Sequence, residues 1–413
     1  MTRSVSIPAE PDRLHVVDVL RGIALVGMFF VHFSMFSSGG NAADRFYQSV
    51  VSLLFEERFW AMFAILFGAG FAILLRRSDA RGGSFVPNYM RRLVALAAFG
   101  FIAHACFGFN VLLGYAAWGL PLLLVRRWSV RALVIAAVIS AASWNLYLTA
   151  RTAYIVTTRG EKAFLSEMGA KAAANQAFRK ANEAAQESPN YATVIAARLQ
   201  HMRWFYAQPF SWLPVNTFTL FLLGLIAVRL GLFDAPEEHR RLIVSLMIFG
   251  AASWGLTMWA YATMSDEPPS PFLWGVTLVR LKTAFGLLRT MWLAFVYMGV
   301  VLLLVAHSRD WLRRLGAFAW TGRMALTNYM IQIAILDLTF SKYALGLTVT
   351  PLVGLVMAVA LFLANALLSR WWLARFRYGP LEWLWRSMTY ARWQPFRIAA
   401  PTPAVREELA ASS

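Results

Sequence analysis

Residues 14–32 read LHVVDVLRGIALVGMFFVH. This stretch has the length and apolar character of a membrane-crossing helix, which needs about 20 mostly apolar residues. It nevertheless carries Asp18, Arg21 and His32. Because a charged group in hydrocarbon costs roughly 2.5–3.5 kcal/mol on insertion scales, such groups usually face a polar cavity or a partner. The stretch therefore predicts a membrane helix that forms one wall of an intramembrane site.

The spacing of these three residues places them along one side of that helix. Arg21 and His32 are eleven residues apart, about three turns, so they share a face and lie about 16 Å apart along the axis. Asp18 lies within about a sixth of a turn of the same stripe. The helix therefore presents an acid–base pair at one depth and an imidazole at another.

The rest of the chain repeats the apolar pattern. It has 413 residues, of which 59% are hydrophobic and 15% charged, whereas soluble domains carry about 25% charged residues. This predicts an all-α, polytopic transmembrane helical bundle of about ten spans. We place the spans at 16–36, 58–75, 93–108, 111–126, 131–150, 212–232, 242–264, 286–306, 319–340 and 349–373.

Arginine clusters orient the bundle. Every second short loop is basic, as is the C-terminal segment, and the positive-inside rule then assigns both termini to the cytoplasm of a bacterial inner membrane. We divide the chain into a cytoplasmic tail (1–15), five spans with the candidate active-site helix (16–150), an extracytoplasmic helical insertion (151–210), five further spans (211–376) and a cytoplasmic amphipathic helix and tail (377–413). The insertion caps the membrane site or lies on the headgroups, and we favour the cap.

The net charge of +18 raises the question of nucleic acid. We exclude that partner because the basic residues lie mostly in short loops, where anionic membrane lipids account for them. The sequence contains no P-loop, no zinc-like cluster and no Gly-x-Ser-x-Gly elbow, so we expect no metal and no nucleotide hydrolysis. A homo-oligomer stays open.

Two histidines are candidates for proton transfer. His32 falls near the outer end of its span, and His104 falls in the outer half of the third span. Histidine suits proton transfer near neutral pH, although either ring can simply fix helix packing through a hydrogen bond. Arg21 and Asp18 form either a structural clamp or a contact for an anionic group.

A second polar group lies in the ninth span. Asn328 and Gln332 are four residues apart on one helical face, and both amides need partners inside the membrane. They act either as interhelical hydrogen bonds or as ligand contacts. We expect Asp337, near the outer end of the same span, and Arg58, at the outer mouth of the second, to be solvated.

Five stretches resemble the YeiB-like family of bacterial multispanning proteins (domain of unknown function 418). The resemblance is carried by Asp18–Gly22, Phe59–Gly70, Arg91–His104 with Tyr115, Gly322–Gln332 and Phe376–Tyr390. It implies a relation to transmembrane acyltransferases such as heparan-alpha-glucosaminide N-acetyltransferase. The first span also resembles the acyltransferase-three group, in which an Arg and a His separated by ten residues mark the active helix. YeiB-like proteins often carry Asn in place of His32 and an acid in place of Asn110.

The resemblance implies a membrane acyltransferase with acetyl-CoA or another acyl-CoA as donor and a small-molecule or glycan hydroxyl or amine as acceptor. His32 would act as general base, Arg21 would hold the donor, and His104 or Asn328 would orient the acceptor or stabilise the oxyanion. The alternative is a permease or exporter of a small metabolite or amphiphile, in which the charged stripe is a translocation site. A non-catalytic membrane scaffold leaves the buried polar residues unexplained.

Overall fold

Helices make up almost all of the protein in the computed structural model, which describes residues 13–109, 111–207, 215–263 and 292–398. Six helical stretches are long and apolar enough to cross a membrane: His15–Phe36, Ala42–Ala80, Phe85–Phe107, Val130–Arg159, Arg240–Trp259 and Pro351–Leu373. Four shorter apolar helices occupy Val111–Val125, Thr217–Arg229, Trp292–His307 and Ala325–Phe340. The prediction of an all-helical chain with several candidate membrane helices is confirmed.

The described helices are numbered in chain order. They are α1 (Arg13–Phe36), α2 (Ala42–Val50), α3 (Arg58–Ala80), α4 (Phe85–Phe107), α5 (Val111–Gly119), α6 (Leu122–Val125), α7 (Val130–Arg159), α8 (Glu161–Gln186), α9 (Tyr191–Ala207), α10 (Val215–Arg229), α11 (Arg240–Thr263), α12 (Trp292–His307), α13 (Asp310–Arg314), α14 (Gly316–Arg323), α15 (Ala325–Phe340), α16 (Pro351–Leu373) and α17 (Pro380–Tyr390). A π-helical segment, Val51–Phe55, follows α2.

Two predicted spans are interrupted. The span predicted at 111–126 divides into α5 and α6 at Pro121, whose ring removes a backbone donor. The span predicted at 319–340 divides into α14 and α15 at Met324, where φ is −111° and ψ is 34°. The predicted starts at 212 and 286, part of both tails, and Asn110 lie outside the described residues.

Paired glycines bring two sets of helices into backbone contact. A Cβ atom at Gly22 of α1 would lie 1.9 Å from the carbonyl oxygen of Phe318, and one at Gly322 of α14 would lie 1.8 Å from that of Asp18. Gly68 of α3 and Gly224 of α10 form a second reciprocal pair, against the carbonyls of Phe221 and Ile65. Small residues allow such close approach. These two contacts fix α1 against α14 and α3 against α10.

The segment predicted as an insertion is helical where it is described. Helix α7 continues past residue 150 to Arg159, and α8 and α9 follow it after turns at Gly160 and near Pro189. Helix α9 packs on α4 and sends Arg198 into the bundle, where that side chain is 5% exposed. The segment is therefore joined to the bundle by a buried side chain.

Helix α17 caps the first turn of α15 through the side chain of Glu382. Its Glu382 carboxylate accepts hydrogen bonds from the backbone N–H of Leu326 (2.6 Å) and Thr327 (3.0 Å) and from Thr327 Oγ1 (2.6 Å). These are the unpaired donors in the first turn of α15, where a negative charge is favoured. The i, i+4 spacing of Glu382 and Arg386 on this helix predicts an ion pair between them, but the carboxylate is engaged by α15 instead.

Candidate functional site

The first part of the site is the Asp18–Arg21 pair in the N-terminal half of α1. Nη1 of Arg21 donates to Oδ1 of Asp18 at 3.0 Å, and the two side chains are 30% and 17% exposed. A Cβ atom at Gly70 of α3 would lie 3.4 Å from Nη2 of Arg21, so this glycine leaves room for the guanidinium. Asp18 and Arg21 are therefore in contact, as predicted, and the Arg21 side chain remains partly exposed.

Further arginines surround this pair. The guanidinium of Arg92 lies 3.7 Å from the ring centroid of Trp385, whose Nε1 donates to the Arg92 carbonyl at 2.9 Å. Arg92 is close enough to Arg21 and Arg386 for their positive charges to repel one another. Arg323 is close enough to Asp18 to attract its carboxylate. Arg21, Arg92, Arg323 and Arg386 are thus accompanied by one carboxylate, that of Asp18, because the nearby Glu382 is engaged by α15. These four residues, which we call the inner arginine cluster, favour an anionic ligand.

At the other end of the same helix face, His32 is buried and held from two sides. Its Nδ1 lies 3.1 Å from Nε2 of Gln332, and its ring centroid lies 4.9 Å from that of Phe109. With the amide nitrogen as donor, Nδ1 accepts and Nε2 carries the proton. If the oxygen and nitrogen of the Gln332 amide exchange places, Nδ1 of His32 donates to the amide oxygen and Nε2 keeps a free lone pair. The same heavy-atom positions are compatible with both arrangements. Gln332 therefore fixes the ring in either tautomer.

His104 has a defined tautomer. Its Nε2 lies 3.0 Å from the carbonyl oxygen of Arg198, which can only accept, so Nε2 carries the proton. Its Nδ1 is buried and has no hydrogen-bond partner among the described residues. The ring of His201 stacks against it with centroids 5.9 Å apart. His104 thus keeps an unused lone pair at Nδ1, next to a second imidazole.

A buried ion pair joins α9 to α15 beside His104. Arg198 donates through both terminal nitrogens to Asp337, and the two side chains are 5% and 4% exposed. Asp337 also accepts from Ser341 Oγ at 2.7 Å and from the Tyr343 hydroxyl. The expectation that Asp337 is solvated is wrong, because a charge at this depth is retained through a partner from the insertion.

Asn328 is fully buried and ties α15 to its neighbours. Its Nδ2 donates to the Thr321 carbonyl at 3.1 Å and to Ser369 Oγ at 2.9 Å. Both amide hydrogens are therefore used in helix packing, while Oδ1 has no partner among the described residues. Of the two amides predicted on this face, only Gln332 contacts a candidate histidine.

The predicted residues therefore form two layers. We call them, after the predicted orientation, the inner layer, which contains Asp18 and Arg21, and the outer layer, which contains His32 with Gln332. His104 lies in the last turn of α4, but it bonds to Arg198 rather than to His32. Arg58, expected at a solvated mouth, is fully buried and donates to the Leu53 carbonyl at 3.0 Å.

Sequence reasoning missed three groups that complete these layers: Arg198, Arg92 and Arg386. Arg92 and Arg386 read as loop and surface charges, and the proximity of Arg92 to both Arg21 and Arg386 depends on how α4 packs against α1 and α17. The position of Asp337 in an apolar run gives a weak indication that a cationic side chain pairs with it. Nothing in the sequence says which cation provides it.

Comparison with known proteins gives relatives of unassigned function. A family model described as "Protein of unknown function (DUF418)" matches residues 227–392. The uncharacterized protein YxaH of Bacillus subtilis strain 168 is 30% identical, with 93% of this chain and 96% of the relative aligned. The uncharacterized protein YeiB of Escherichia coli K12 is 26% identical, with 92% and 96% aligned. An uncharacterized 39.9 kDa protein from Bacillus acidopullulyticus is 27% identical, with 94% and 97% aligned. No solved structure matches the chain.

Proposed function

The chain belongs to the DUF418 family, and we propose that it is an integral membrane acyltransferase. It would move an acyl group from a cytoplasmic acyl-CoA-type donor to a hydroxyl or amine at the outer side of a bacterial inner membrane. This assignment includes the orientation with both termini in the cytoplasm, which places the inner arginine cluster on the donor's side.

One observation carries the proposal. A single face of α1 holds a partly accessible cation, Arg21, at one end and a buried imidazole, His32, three turns further along. Around Arg21 the inner arginine cluster attracts phosphate groups, which arginine binds through paired hydrogen bonds. Around His32 the amide of Gln332 fixes the ring. The donor's anionic end and the proton acceptor are thus matched to opposite halves of one helix.

The reaction follows from these roles. The acceptor oxygen or nitrogen attacks the thioester carbon while Nε2 of His32 takes its proton, which requires the amide of Gln332 to accept from Nδ1–H. The tetrahedral intermediate collapses, the carbon–sulfur bond breaks, and the thiolate leaves with the proton from His32. An N–H or O–H donor near the oxyanion would stabilise the intermediate. Asn328 is less suited to that role because packing occupies its amide hydrogens.

The test uses inverted inner-membrane vesicles, which expose the cytoplasmic face and enclose native acceptors. Vesicles containing the protein receive acyl-labelled acetyl-CoA, and release of free CoA thiol and label in the enclosed material are followed. We expect His32→Ala to lower both to the level of vesicles without the protein. The matched control is His307→Ala, since His307 is exposed at the end of α12. Equal transfer by wild type and His32→Ala, with both variants folded, would overturn the assignment.

The alternative is a permease or exporter. It is favoured by the divided helices α5/α6 and α14/α15, because interrupted membrane helices often build transport sites. Transport requires no acyl donor. Uptake or efflux that depends on a gradient, occurs without acetyl-CoA and is lost in Arg21→Ala would support this alternative over acyl transfer.

A further inference from the structure

A cavity of about 690 Å³ lies apart from the residues discussed so far. It is bordered by α3, α4, α10 and the turn after α6, at the end of the bundle where the basic loops meet. Its volume falls in the range of about 300–1,000 Å³ that is typical of small-molecule sites. Neither Arg21 nor His32 lines it. The lining residues that the argument uses are Asp79, Arg126, Arg127, Arg229, Leu225 and Val228.

The charge of this cavity is unbalanced. Arg76 lines it as well, but Asp234 neutralises that guanidinium at 2.6 Å. Arg126 donates to the Leu123 carbonyl at 2.6 Å, and Arg229 donates to the carbonyls of Trp128 and Arg126. A backbone carbonyl positions a guanidinium without cancelling its charge.

Asp79 is the remaining acid in the lining, which also contains three further arginines: Arg126, Arg127 and Arg229. Arg127 is exposed and makes no hydrogen bond within the part of the chain that the structure describes. Its five N–H donors are therefore available to a ligand.

Part of the remaining lining is apolar. Ala72, Leu75, Leu225 and Val228 contribute to it, and Leu225 is fully buried. A free inorganic ion would leave most of this volume empty. The combination of arginine and apolar side chains in one lining fits a ligand that carries a phosphate on an organic body.

We propose that this cavity binds a phosphate-bearing organic molecule, with Arg127 and Arg126 contacting the phosphate. Guanidinium groups pair with phosphate oxygens through two parallel hydrogen bonds. The molecule is either a soluble nucleotide-like phosphate or the headgroup of an anionic phospholipid. The proposal does not depend on acyl transfer, because no residue of the proposed catalytic machinery lines the cavity.

The experiment compares two probes on the full-length protein. Adenosine 3′,5′-bisphosphate is titrated calorimetrically into detergent-solubilised protein. Retained phosphatidylglycerol is measured by native mass spectrometry after release from phosphatidylglycerol or phosphatidylcholine nanodiscs. Each probe is tested on wild type, Arg127→Ala and the control Arg131→Ala, which removes an exposed arginine four residues away that does not line the cavity.

We expect Arg127→Ala to weaken one probe by about tenfold while Arg131→Ala leaves it unchanged, since losing one charge-assisted contact has about this effect. Loss of the bisphosphate identifies a soluble phosphate ligand, and loss of selective phosphatidylglycerol retention identifies a lipid headgroup. Equal binding of both probes by Arg127→Ala and Arg131→Ala, or no binding of either by wild type, overturns the proposal.

Discussion

The ion pair of Arg198 and Asp337 is the residue-level contact with the largest expected energy. Asp337→Asn keeps the shape of the side chain but leaves a buried guanidinium without its counter-charge. Breaking a buried pair from one side costs roughly 3–5 kcal/mol. We therefore expect a clear fall in the melting temperature of the purified protein, measured by differential scanning fluorimetry.

The control for that variant is Glu167→Gln, which breaks the pair of Arg151 with Glu167, whose side chains are 39% and 43% exposed. Exposed pairs contribute about 0–1 kcal/mol, so the melting temperature should hardly change. The double change Arg198→Met with Asp337→Leu removes both charges and should regain much of the loss. Similar melting temperatures for Asp337→Asn and Glu167→Gln would refute a structural ion pair.

Glu382 gives a prediction about pH. Burial raises the pKa of this carboxyl above 4.5, although the hydrogen bonds from Leu326 and Thr327 oppose that change. The folded protein then holds a proton that the unfolded chain has already released, so this group lowers stability as pH rises from 4.5 to the raised pKa. Glu187 behaves in the opposite way, because Lys342 lowers the pKa of its carboxyl and its contribution is lost as pH falls below 4.5.

Melting temperatures of Glu382→Gln and Glu187→Gln between about pH 3 and 7 check this sign. Glu382→Gln should remove a contribution to the melting temperature of wild type that falls as pH rises. Glu187→Gln should remove a contribution that grows as pH rises. Glu382→Gln should also melt lower throughout, since an amide supplies one acceptor oxygen to donors that now have two. Parallel pH profiles for all three proteins would contradict the assigned environments.

The sequence predicts side-chain contacts within one helix better than contacts between distant segments. Asp18 and Arg21 are three residues apart on one helix, so helical geometry alone predicts their contact. His32 and Gln332 are 300 residues apart, and their hydrogen bond depends on how α1 packs against α15. Arg58 was misplaced because its carbonyl partners belong to a π-helical turn that apolar periodicity does not reveal.

At the scale of helices, the reciprocal glycines of α3 and α10 make a sharp prediction. In Gly224→Ala the new Cβ would lie 1.8 Å from the carbonyl oxygen of Ile65, and backbone cannot rotate away as a side chain can. The helices must separate, at a cost of 1–3 kcal/mol or more that is typical of overpacking. We expect lower yield of folded protein and a lower melting temperature.

Gly255→Ala in α11 is the matched control, because, apart from the backbone of its own helix, no heavy atom of the described residues lies within 4 Å of its added Cβ. Alanine is favoured over glycine in a helix by about 1 kcal/mol, so this variant should be neutral or slightly stabilised. Equal melting temperatures for the two variants would mean that α3 and α10 do not approach at Gly224.

Helix positions were accessible to sequence reasoning because hydrocarbon requires long apolar runs. The first predicted span, 16–36, nearly coincides with His15–Phe36. The divisions at Pro121 and Met324 were missed, since apolar composition continues through both points. The break at Met324 depends on Glu382, a carboxylate 58 residues later that satisfies the first turn of α15.

At the scale of the whole molecule, the two layers are connected through α15. This helix receives Glu382 at its first turn, holds His32 through Gln332 in its middle, and pairs Asp337 with Arg198 near its end. A displacement of α15 would therefore disturb contacts to α17, α1 and the insertion together. Such coupling arises from packing among distant segments, which a single sequence does not specify.

The orientation of the bundle is the last prediction, because it decides which side supplies the donor. In a Cys106→Ser background, Ser166→Cys places an exposed thiol on α8 of the insertion, and Ser84→Cys places one before α4 near the basic loops. A membrane-impermeant maleimide should label Ser166→Cys in intact spheroplasts and Ser84→Cys only after permeabilisation, since short arginine-rich loops remain in the cytoplasm. The Cys106→Ser protein, which contains no cysteine, controls for background labelling. The reverse pattern would place the inner arginine cluster outside the cell, where cytoplasmic acyl-CoA cannot reach it, and would remove the basis of the proposed reaction.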